Sequence, residues 1–188
     1  MSRWGDVETD GALIERSCYG RPDAFTEVVR RHEVAVHGFL ARRAGRQVAD
    51  DLLAEVWLRA FAGRAGYDPG RQDARPWLYG IARNVLRLHW RTDRDDVHRA
   101  VTDSWDPWDE VVDRLDSTAR AGALLPALRA LPPHERDVLL LVAWEQLTPA
   151  EAAEVLGIPP GTARSRLHRA RAALRPVLAR AGHAEEDT

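Results

Sequence analysis

Apolar residues recur at spacings of three and four along most of this chain, whereas sustained alternation of apolar and polar residues rich in Val, Ile and Thr is missing. Spacings of three and four place apolar side chains on one face of a helix, while alternation would indicate strands. The pattern therefore predicts an all-α protein.

Four helices are predicted in the first half, and together they form one helical domain over residues 10–92. Asp10 is expected to cap a short helix that stops at Gly20. Longer helices are expected over residues 22–44, 48–62 and 74–92, with glycine-containing breaks between them. The positions expected to face the core are Phe25, Val28, Val29, His32, Val36, Phe39 and Leu40 in the second helix, Leu52, Val56 and Ala60 in the third, and Ile81, Val85 and Leu88 in the fourth.

Residues 93–120 differ from the segments on either side, because they contain nine acidic residues, four arginines and little periodicity. We interpret them as a flexible acidic linker. The linker is either a solvated spacer or an acidic segment that lies in a basic channel of a partner, and Trp105 and Trp108 keep the second alternative open.

Short helices return over residues 121–180, which form the second predicted domain. Pro133 suits the first position of a helix, and Thr148 with Glu151 forms a capping-box pattern at the start of the next one. Gly157 then makes a turn into a last helix, expected over residues 160–179. Two helices joined by a glycine-containing turn, the second of them basic, predict a helix-turn-helix.

The last helix combines an apolar stripe on one face with basic residues on its other faces. Residues 155–184 contain six arginines and no acidic residue, so this helix lacks the i,i+4 ion pairs of an ordinary solvated helix, and nucleic-acid contact is favoured. Side chains near the start of a recognition helix reach base edges, and later ones reach phosphates. The stripe expected to be buried is Ala163, Leu167, Ala170 and Leu174. The expected base contacts are Arg164, Ser165 and His168, and the expected phosphate contacts are Arg169, Arg171 and Arg175.

A second candidate nucleic-acid surface lies within residues 75–91, where aromatic and basic residues are interleaved. Aromatic rings among guanidinium groups suit single-stranded DNA, because bases stack on the rings while cations meet the phosphates. Trp77 and Tyr79 are equally consistent with a hydrophobic core, so both interpretations stand at this point. The candidate residues are Arg75, Trp77, Tyr79, Arg83, Asn84, Arg87, Trp90 and Arg91.

Composition narrows the possible classes further. With 45% hydrophobic and 30% charged residues over 188 positions, the chain is too apolar for a disordered tail, and it has no uncharged run long enough to cross a membrane. The lack of a signal-peptide pattern and a single cysteine, Cys18, indicate a cytoplasmic protein. Since there is no HExxH motif, no phosphate-binding loop and no nucleophile with a plausible base, we predict no enzyme activity, no catalytic residue, no metal and no cofactor.

Two motif sets resemble the sigma-70 family of bacterial transcription initiation factors, in its extracytoplasmic-function (ECF) branch. Residues 50–57 (DDLLAEVW) resemble the acidic helix that docks on the clamp helices of the RNA polymerase beta-prime subunit. Residues 75–84 (RPWLYGIARN) resemble the region-two segment that melts and reads the minus-ten element. Residues 131–136 (LPPHER), 150–158 and 161–171 resemble region four, which reads the minus-thirty-five element.

This resemblance implies a protein that binds core RNA polymerase at the beta-prime clamp helices and the beta flap, carries it to promoter DNA and is controlled by an anti-sigma factor. A linker of 28 residues averages roughly 30 Å and reaches at most about 90 Å, which is enough for promoter elements about 70 Å apart. The implied polymerase-docking residues are Asp50, Asp51, Glu55 and Trp57. The implied minus-ten contacts are the candidate residues of 75–91, and the implied minus-thirty-five contacts are Thr162, Arg164, Ser165, Arg166, His168, Arg169, Arg171 and Arg175.

The sequence departs from the family pattern in two places. Ala54 stands where the family usually has Gln, so docking there would rest on the neighbouring acidic residues and Trp57. Pro159 and Pro160 replace the polar residues that usually cap the recognition helix, and only Pro160 suits a first helical position.

Two other functions stay open. A helix-turn-helix regulator that acts without polymerase would use only the second domain and would leave the first unexplained. A sigma mimic that titrates an anti-sigma factor would keep the fold but would not need a basic recognition helix.

Overall fold

The computed structural model describes residues 8–97 and 121–183, all of whose regular elements are helical. Most of the predicted linker, including Trp105 and Trp108, lies outside these ranges. The elements are α1 (Asp10–Cys18), α2 (Ala24–Ala44), α3 (Arg46–Gly63), a 3-10 turn (Arg64–Gly66), α4 (Arg75–Val97), α5 (Ala121–Ala130), α6 (Pro133–Ala143), α7 (Pro149–Leu156) and α8 (Pro160–His183). We call α1–α4 the first block and α5–α8 the second block.

Helices α2, α3 and α4 pack against one another to form the core of the first block. Gly45 is the only residue between α2 and α3, and its φ of 84° explains why a glycine stands there. The inward positions predicted for α3, Leu52, Val56 and Ala60, are all buried. In α2 the predicted inward residues are buried except Val29, which is partly buried against the same core.

Helix α4 corrects two predictions. Its buried positions are Pro76, Leu78, Tyr79, Ala82, Val85 and Leu86, so the predicted stripe of Ile81, Val85 and Leu88 was right only at Val85: Leu88 is exposed and Ile81 is partly buried. The helix also continues to Val97, five residues into the predicted linker, because neither glycine nor proline follows Gly80 in that stretch.

Helix α1 is capped by the side chain of Thr9, not by Asp10 as predicted. Asp10 is instead buried inside the first turn. Its carboxylate accepts from His32 Nε2 at 2.6 Å, from Arg31 Nη1 at 3.0 Å and from the amide of Ala74 at 2.9 Å. Burial opposes ionisation of Asp10, but the hydrogen bonds from His32 and Ala74 outweigh it and lower its pKa to about 2. This carboxylate therefore ties α1, α2 and the start of α4 together.

Gly11, beside Asp10, is the point where the loop before α4 crosses α1. A Cβ atom at this position would lie 2.2 Å from the carbonyl oxygen of Pro69 and 2.5 Å from that of Arg71. Backbone atoms cannot give way as a flexible side chain can, so the crossing requires glycine.

The second block has its own core, to which α5, α6, α7 and α8 all contribute. The predicted capping box is present: Thr148 Oγ1 accepts from the Glu151 amide at 3.2 Å, and the Glu151 carboxylate accepts from the Thr148 amide at 2.7 Å. Gly157 ends α7 in the left-handed conformation, with φ 67°. The predicted helix-turn-helix is thus formed by α7 and α8.

The two blocks contact each other. Leu141, Leu147, Ala152 and Val155 from the second block are buried in the same cluster as the core of the first. The most extensive contact between the blocks is that of α4 with α7. The described residues of the two blocks therefore form one packed body.

Candidate nucleic-acid and protein interfaces

Helix α8 presents one buried face and one basic face. The predicted stripe of Ala163, Leu167, Ala170 and Leu174 is buried against the second block. The outward residues fall into two groups: Arg164, Ser165, His168, Arg169, Arg171 and Arg175 are exposed, while Thr162 and Arg166 are partly buried. The predicted geometry of a recognition helix, with a free cationic surface, is therefore present.

Not every arginine of α8 is equally available. Arg169 Nε donates to Glu135 Oε1 on α6 at 2.5 Å, and that glutamate is buried. Among the residues described, no ion pair involves Arg164, Arg171 or Arg175. Ser165 Oγ donates to the Thr162 carbonyl at 2.9 Å and stays on the exposed side. The structure thus separates an arginine that braces the block from three that are open to a ligand.

The outward face of α3 carries the predicted docking residues. Asp50 and Asp51 are exposed, and Asp50 Oδ1 lies 3.1 Å from His37 Nε2. Glu55 is partly buried and accepts from Arg59 Nε at 2.6 Å. Trp57 packs edge-on against Phe25, with ring centroids 6.4 Å apart, so its ring is partly buried against the hydrophobic core.

Sequence reasoning missed Leu58 on this face. Its side chain is 68% exposed, four residues after Ala54 and seven after Asp51, which places all three on one side of the helix. The sequence contained a signal for this, because Leu58 is an apolar residue outside the helix face of Leu52, Val56 and Ala60 that the periodicity assigned to the core. An exposed leucine that follows a group of acidic residues on the same helix is suited to contact with another protein.

The aromatic residues at the start of α4 are core residues in this arrangement. Tyr79 is 2% exposed and its ring lies 5.0 Å from that of Phe39. Burial, with the nearby charge of Glu145, raises the pKa of Tyr79 to about 12. Trp77 is partly buried and contacts Tyr67, with centroids 5.0 Å apart. Of the two interpretations of these rings, the structure favours the core.

The basic and polar residues of α4 divide into a covered and an open group. Arg75 Nε donates to Asp73 at 2.7 Å, and Arg83 is partly buried near Asp137 of α6. Burial lowers the pKa of Arg83, and the charge of Asp137 opposes that shift. The remaining candidates are open or half open: Asn84, Arg87 and Arg91 are exposed, and Trp90 is partly buried against the core.

A charged cluster joins the two blocks, and sequence analysis did not anticipate it. Glu145, in the turn between α6 and α7, accepts from Arg42 Nη2 at 2.6 Å and from Arg43 Nη1 at 3.2 Å. Arg43 also donates to the carbonyl of Phe39 at 3.0 Å. Burial lowers the pKa of Arg43 to about 9, with the charge of Glu145 acting in the opposite direction.

One group of three potential metal ligands occurs in the described part of the chain, formed by Asp10, His32 and Asp73. The oxygens of Asp10 already accept hydrogen bonds from protein groups, so the cluster is accounted for as a polar junction. None of the helices described is both long and apolar enough to span a membrane.

Comparison with known proteins assigns both halves of the chain to families. Residues 28–95 match the model for sigma-70 region 2, and residues 121–174 match the model for sigma-70 region 4. The RNA polymerase sigma factor CarQ of Myxococcus xanthus is 36% identical over 167 residues, which cover 88% of this chain and 95% of CarQ. The ECF RNA polymerase sigma factor SigE of Mycolicibacterium smegmatis is 32% identical over 167 residues, 84% of this chain and 62% of SigE.

Two solved structures resemble this chain in their fold. CnrH in complex with the cytosolic domain of CnrY matches with a TM-score of 0.61 and 27% identity, covering 90% of this chain and 97% of CnrH. The sigma factor RpoE of Bartonella quintana, solved with the anti-sigma factor NepR, matches with a TM-score of 0.57 and 22% identity, covering 82% and 96% of the two chains. The second match bears on the fold alone.

Proposed function

We propose which surface of this chain binds each of its partners. The chain belongs to the ECF branch of the sigma-70 family, so it binds core RNA polymerase and DNA and directs transcription initiation, and it is not an enzyme. Helix α3 docks on polymerase, α4 reads the minus-ten element and α8 reads the minus-thirty-five element. The observation that carries this assignment is the exposed basic face of α8, supported on its other side by a buried apolar stripe.

For α8, the proposed base contacts are Arg164, Ser165 and His168, which lie in the first half of the helix and are exposed. Thr162 and Arg166 complete that half. Arg171 and Arg175 lie further along and are suited to phosphates, whereas Arg169 acts mainly by holding α8 against Glu135. This division predicts sequence specificity at the start of the helix and charge-driven affinity towards its end.

For polymerase, the proposed docking surface combines Asp50, Asp51 and Glu55 with the exposed Leu58. Charged residues would orient the two proteins, and the leucine would supply apolar area at the centre of the contact. Trp57 supports this surface from beneath through its contact with Phe25. The expected partners are the beta-prime clamp helices for this surface and the beta flap for the second block.

For the minus-ten element, the proposed contacts on α4 are Asn84, Arg87 and Arg91, which are exposed, together with Arg75, Arg83 and Trp90. Trp77 and Tyr79 are proposed to shape this surface from the core, through their contacts with Tyr67 and Phe39. Guanidinium groups beside aromatic rings suit a single strand with unstacked bases.

Two further assignments follow from the same proposal. A protein of the anti-sigma type is an expected partner, because both structures that this chain resembles are complexes with another protein, one of which is the anti-sigma factor NepR. The expected location is the cytoplasm, where RNA polymerase works.

The test is run-off transcription with purified core polymerase and a pool of genomic promoters. We expect transcripts that start downstream of one shared two-part motif, and a one-to-one complex with core polymerase on gel filtration. Operator binding without polymerase, and no transcript from any template, would support a helix-turn-helix regulator instead. Binding to an inhibitor with neither DNA affinity nor transcripts would support a sigma mimic.

A further inference from the structure

The outward side of α4 is a continuous exposed stripe along the helix. Asn84, Arg87, Leu88 and Arg91 are all exposed, and their spacing of i, i+3, i+4 and i+7 places them on one helix face. The opposite side of the helix is anchored in the core of the first block. The stripe is therefore held in place by a packed helix while it faces away from the protein.

Leu88 is the apolar member of this stripe. Its side chain is 47% exposed, whereas Val85 and Leu86 just before it are buried. The core of the first block is thus completed without Leu88. A single exposed leucine is ordinary on a protein surface, so its neighbours decide what it is suited to contact.

The neighbours of Leu88 are cationic. Arg87 precedes it and Arg91 lies one turn after it, and neither forms an ion pair within the part of the chain that the structure describes. Between residues 75 and 91 the helix contains four arginines and no acidic residue. Leu58 on α3 follows a group of acidic residues instead. The cationic setting of Leu88 suits nucleic acid, because guanidinium groups bind phosphates.

We propose that Leu88 is an apolar wedge, which enters between neighbouring bases at the edge of the minus-ten element and so helps to open the duplex. This inference rests on the proposed function of α4. Apolar side chains inserted between base steps partly unstack them, and contacts on either side offset the cost. Arg87 and Arg91 supply such contacts by binding phosphates, since both share the exposed face with Leu88.

The wedge and the residues that read bases act on different properties of the promoter. A leucine side chain has no hydrogen-bond donor or acceptor, so it cannot distinguish bases by hydrogen bonding. Asn84, one turn earlier on the stripe, has both kinds of group and can read a base edge. Leu88 therefore determines how fast the duplex opens and not which sequence is opened.

The test measures promoter opening by a holoenzyme assembled from core polymerase and the full-length chain. The promoter is one recovered in the run-off experiment, with 2-aminopurine in the minus-ten element, because the fluorescence of this base rises when it unstacks. Two templates are compared: the full duplex, and the same DNA with the minus-ten element mismatched so that it is already open. We expect Leu88→Ala to open the duplex about tenfold more slowly than the unchanged chain, and to give the same transcript yield from the mismatched template.

Two further variants serve as controls. Leu88→Met keeps an apolar side chain of similar volume and should open the duplex within about twofold of the rate of the unchanged chain. Leu178→Ala removes a leucine of similar exposure, 54%, from the end of α8 and should leave the opening rate unchanged. Circular dichroism checks that all variants keep their helices.

The wedge is excluded if Leu88→Ala opens the duplex as fast as the unchanged chain, if its defect is equally large on the mismatched template, or if Leu88→Met is as slow as Leu88→Ala. A weaker affinity of Leu88→Ala for core polymerase would identify Leu88 as a protein contact instead. The unchanged chain tests the proposed function separately: no opening and no transcript from either template would refute that function, whereas normal transcription with an unaffected Leu88→Ala refutes only the wedge.

Discussion

Arg169 of α8 and Glu135 of α6 form an ion pair of 2.5 Å across the second block, and the glutamate is buried. The pair fixes the recognition helix to the helix behind it. Because a buried carboxylate that loses its cation is left poorly solvated, the pair also supports the fold of the block. Arginines of the same helix therefore differ in what they do, although the sequence presents them alike.

Replacing Arg169 with alanine should lower the free energy of unfolding of the chain by about 2 kcal/mol, since Glu135 would stay buried without this partner. Urea denaturation followed by circular dichroism measures the change. Arg171→Ala is the matched control and should stay within about 0.5 kcal/mol of the unchanged chain. Equal stability of the two variants would contradict the bracing role of Arg169.

Replacing Arg164 with alanine should weaken binding to the minus-thirty-five element by about 1–3 kcal/mol and relax the preference at one base pair, because an exposed arginine at the start of a recognition helix is suited to reading a guanine. Competition binding of the polymerase complex to promoter variants measures both effects. Arg175→Ala is the comparison: it should weaken binding to all sequences alike and reduce the salt slope by about one. If Arg164→Ala keeps the base preference of the unchanged chain at every position of the element, Arg164 does not read a base.

Changing Asp51 to arginine should weaken the affinity for core polymerase by at least about tenfold, because it reverses one of the charges of the proposed docking surface. Leu58→Ala should have a similar effect through lost apolar contact. Labelled chain titrated with core polymerase gives the dissociation constant, and Glu15→Arg, on the exposed side of α1, serves as the charge-matched control. If Asp51→Arg binds polymerase as well as the control does, α3 is not the docking helix.

Asp10 should make stability depend on pH in a defined window. Its pKa is about 2 in the folded chain against 3.8 ordinarily, so the carboxylate stabilises the fold above about pH 4 and loses that contribution as the pH falls towards 2. The contribution is about 2 kcal/mol. Asp10→Asn should therefore destabilise the chain at pH 7 and differ much less from the unchanged chain near pH 2. Urea denaturation at several pH values tests this, and a constant difference at every pH would refute it.

Gly11→Ala should destabilise the chain by about 1–3 kcal/mol, because the added methyl group meets two backbone carbonyl oxygens of the loop before α4. Gly63→Ala is the matched control, since nothing lies within 4 Å of a Cβ atom there. That second change should be neutral or slightly stabilising. Thermal unfolding of the two variants compares them, and equal melting temperatures would contradict the close approach at Gly11.

Local patterns were sufficient for the second block. The capping box at Thr148, the turn at Gly157 and the buried stripe of α8 were all predicted, because each depends on residues within one or two helical turns. The inward residues of α3 were predicted for the same reason. The family assignment was likewise predicted from two motif sets and is confirmed by the matches to regions 2 and 4.

Long-range contacts account for what the sequence did not predict. Aspartate is a common N-cap residue, which is why Asp10 was predicted to cap the helix. Its partners His32 and Ala74 lie 22 and 64 residues away, and its hydrogen bonds to them hold it in the core. Helix α4 has apolar residues on more than one side, so periodicity alone placed its buried face wrongly. The pairing of Arg43 with Glu145 joins residues 102 positions apart and has no local signal. The roles of the individual contact residues stay predictions.

The one-residue connection at Gly45 constrains how this chain can change in evolution. Each residue added to a helix turns everything beyond it by about 100°. Because only Gly45 separates the two helices, a single residue inserted into α3 before Asp51 would rotate Leu52 and Val56 out of the core and would turn the side that Asp51 and Leu58 share in another direction. Sequences of related chains should therefore align across this glycine without gaps.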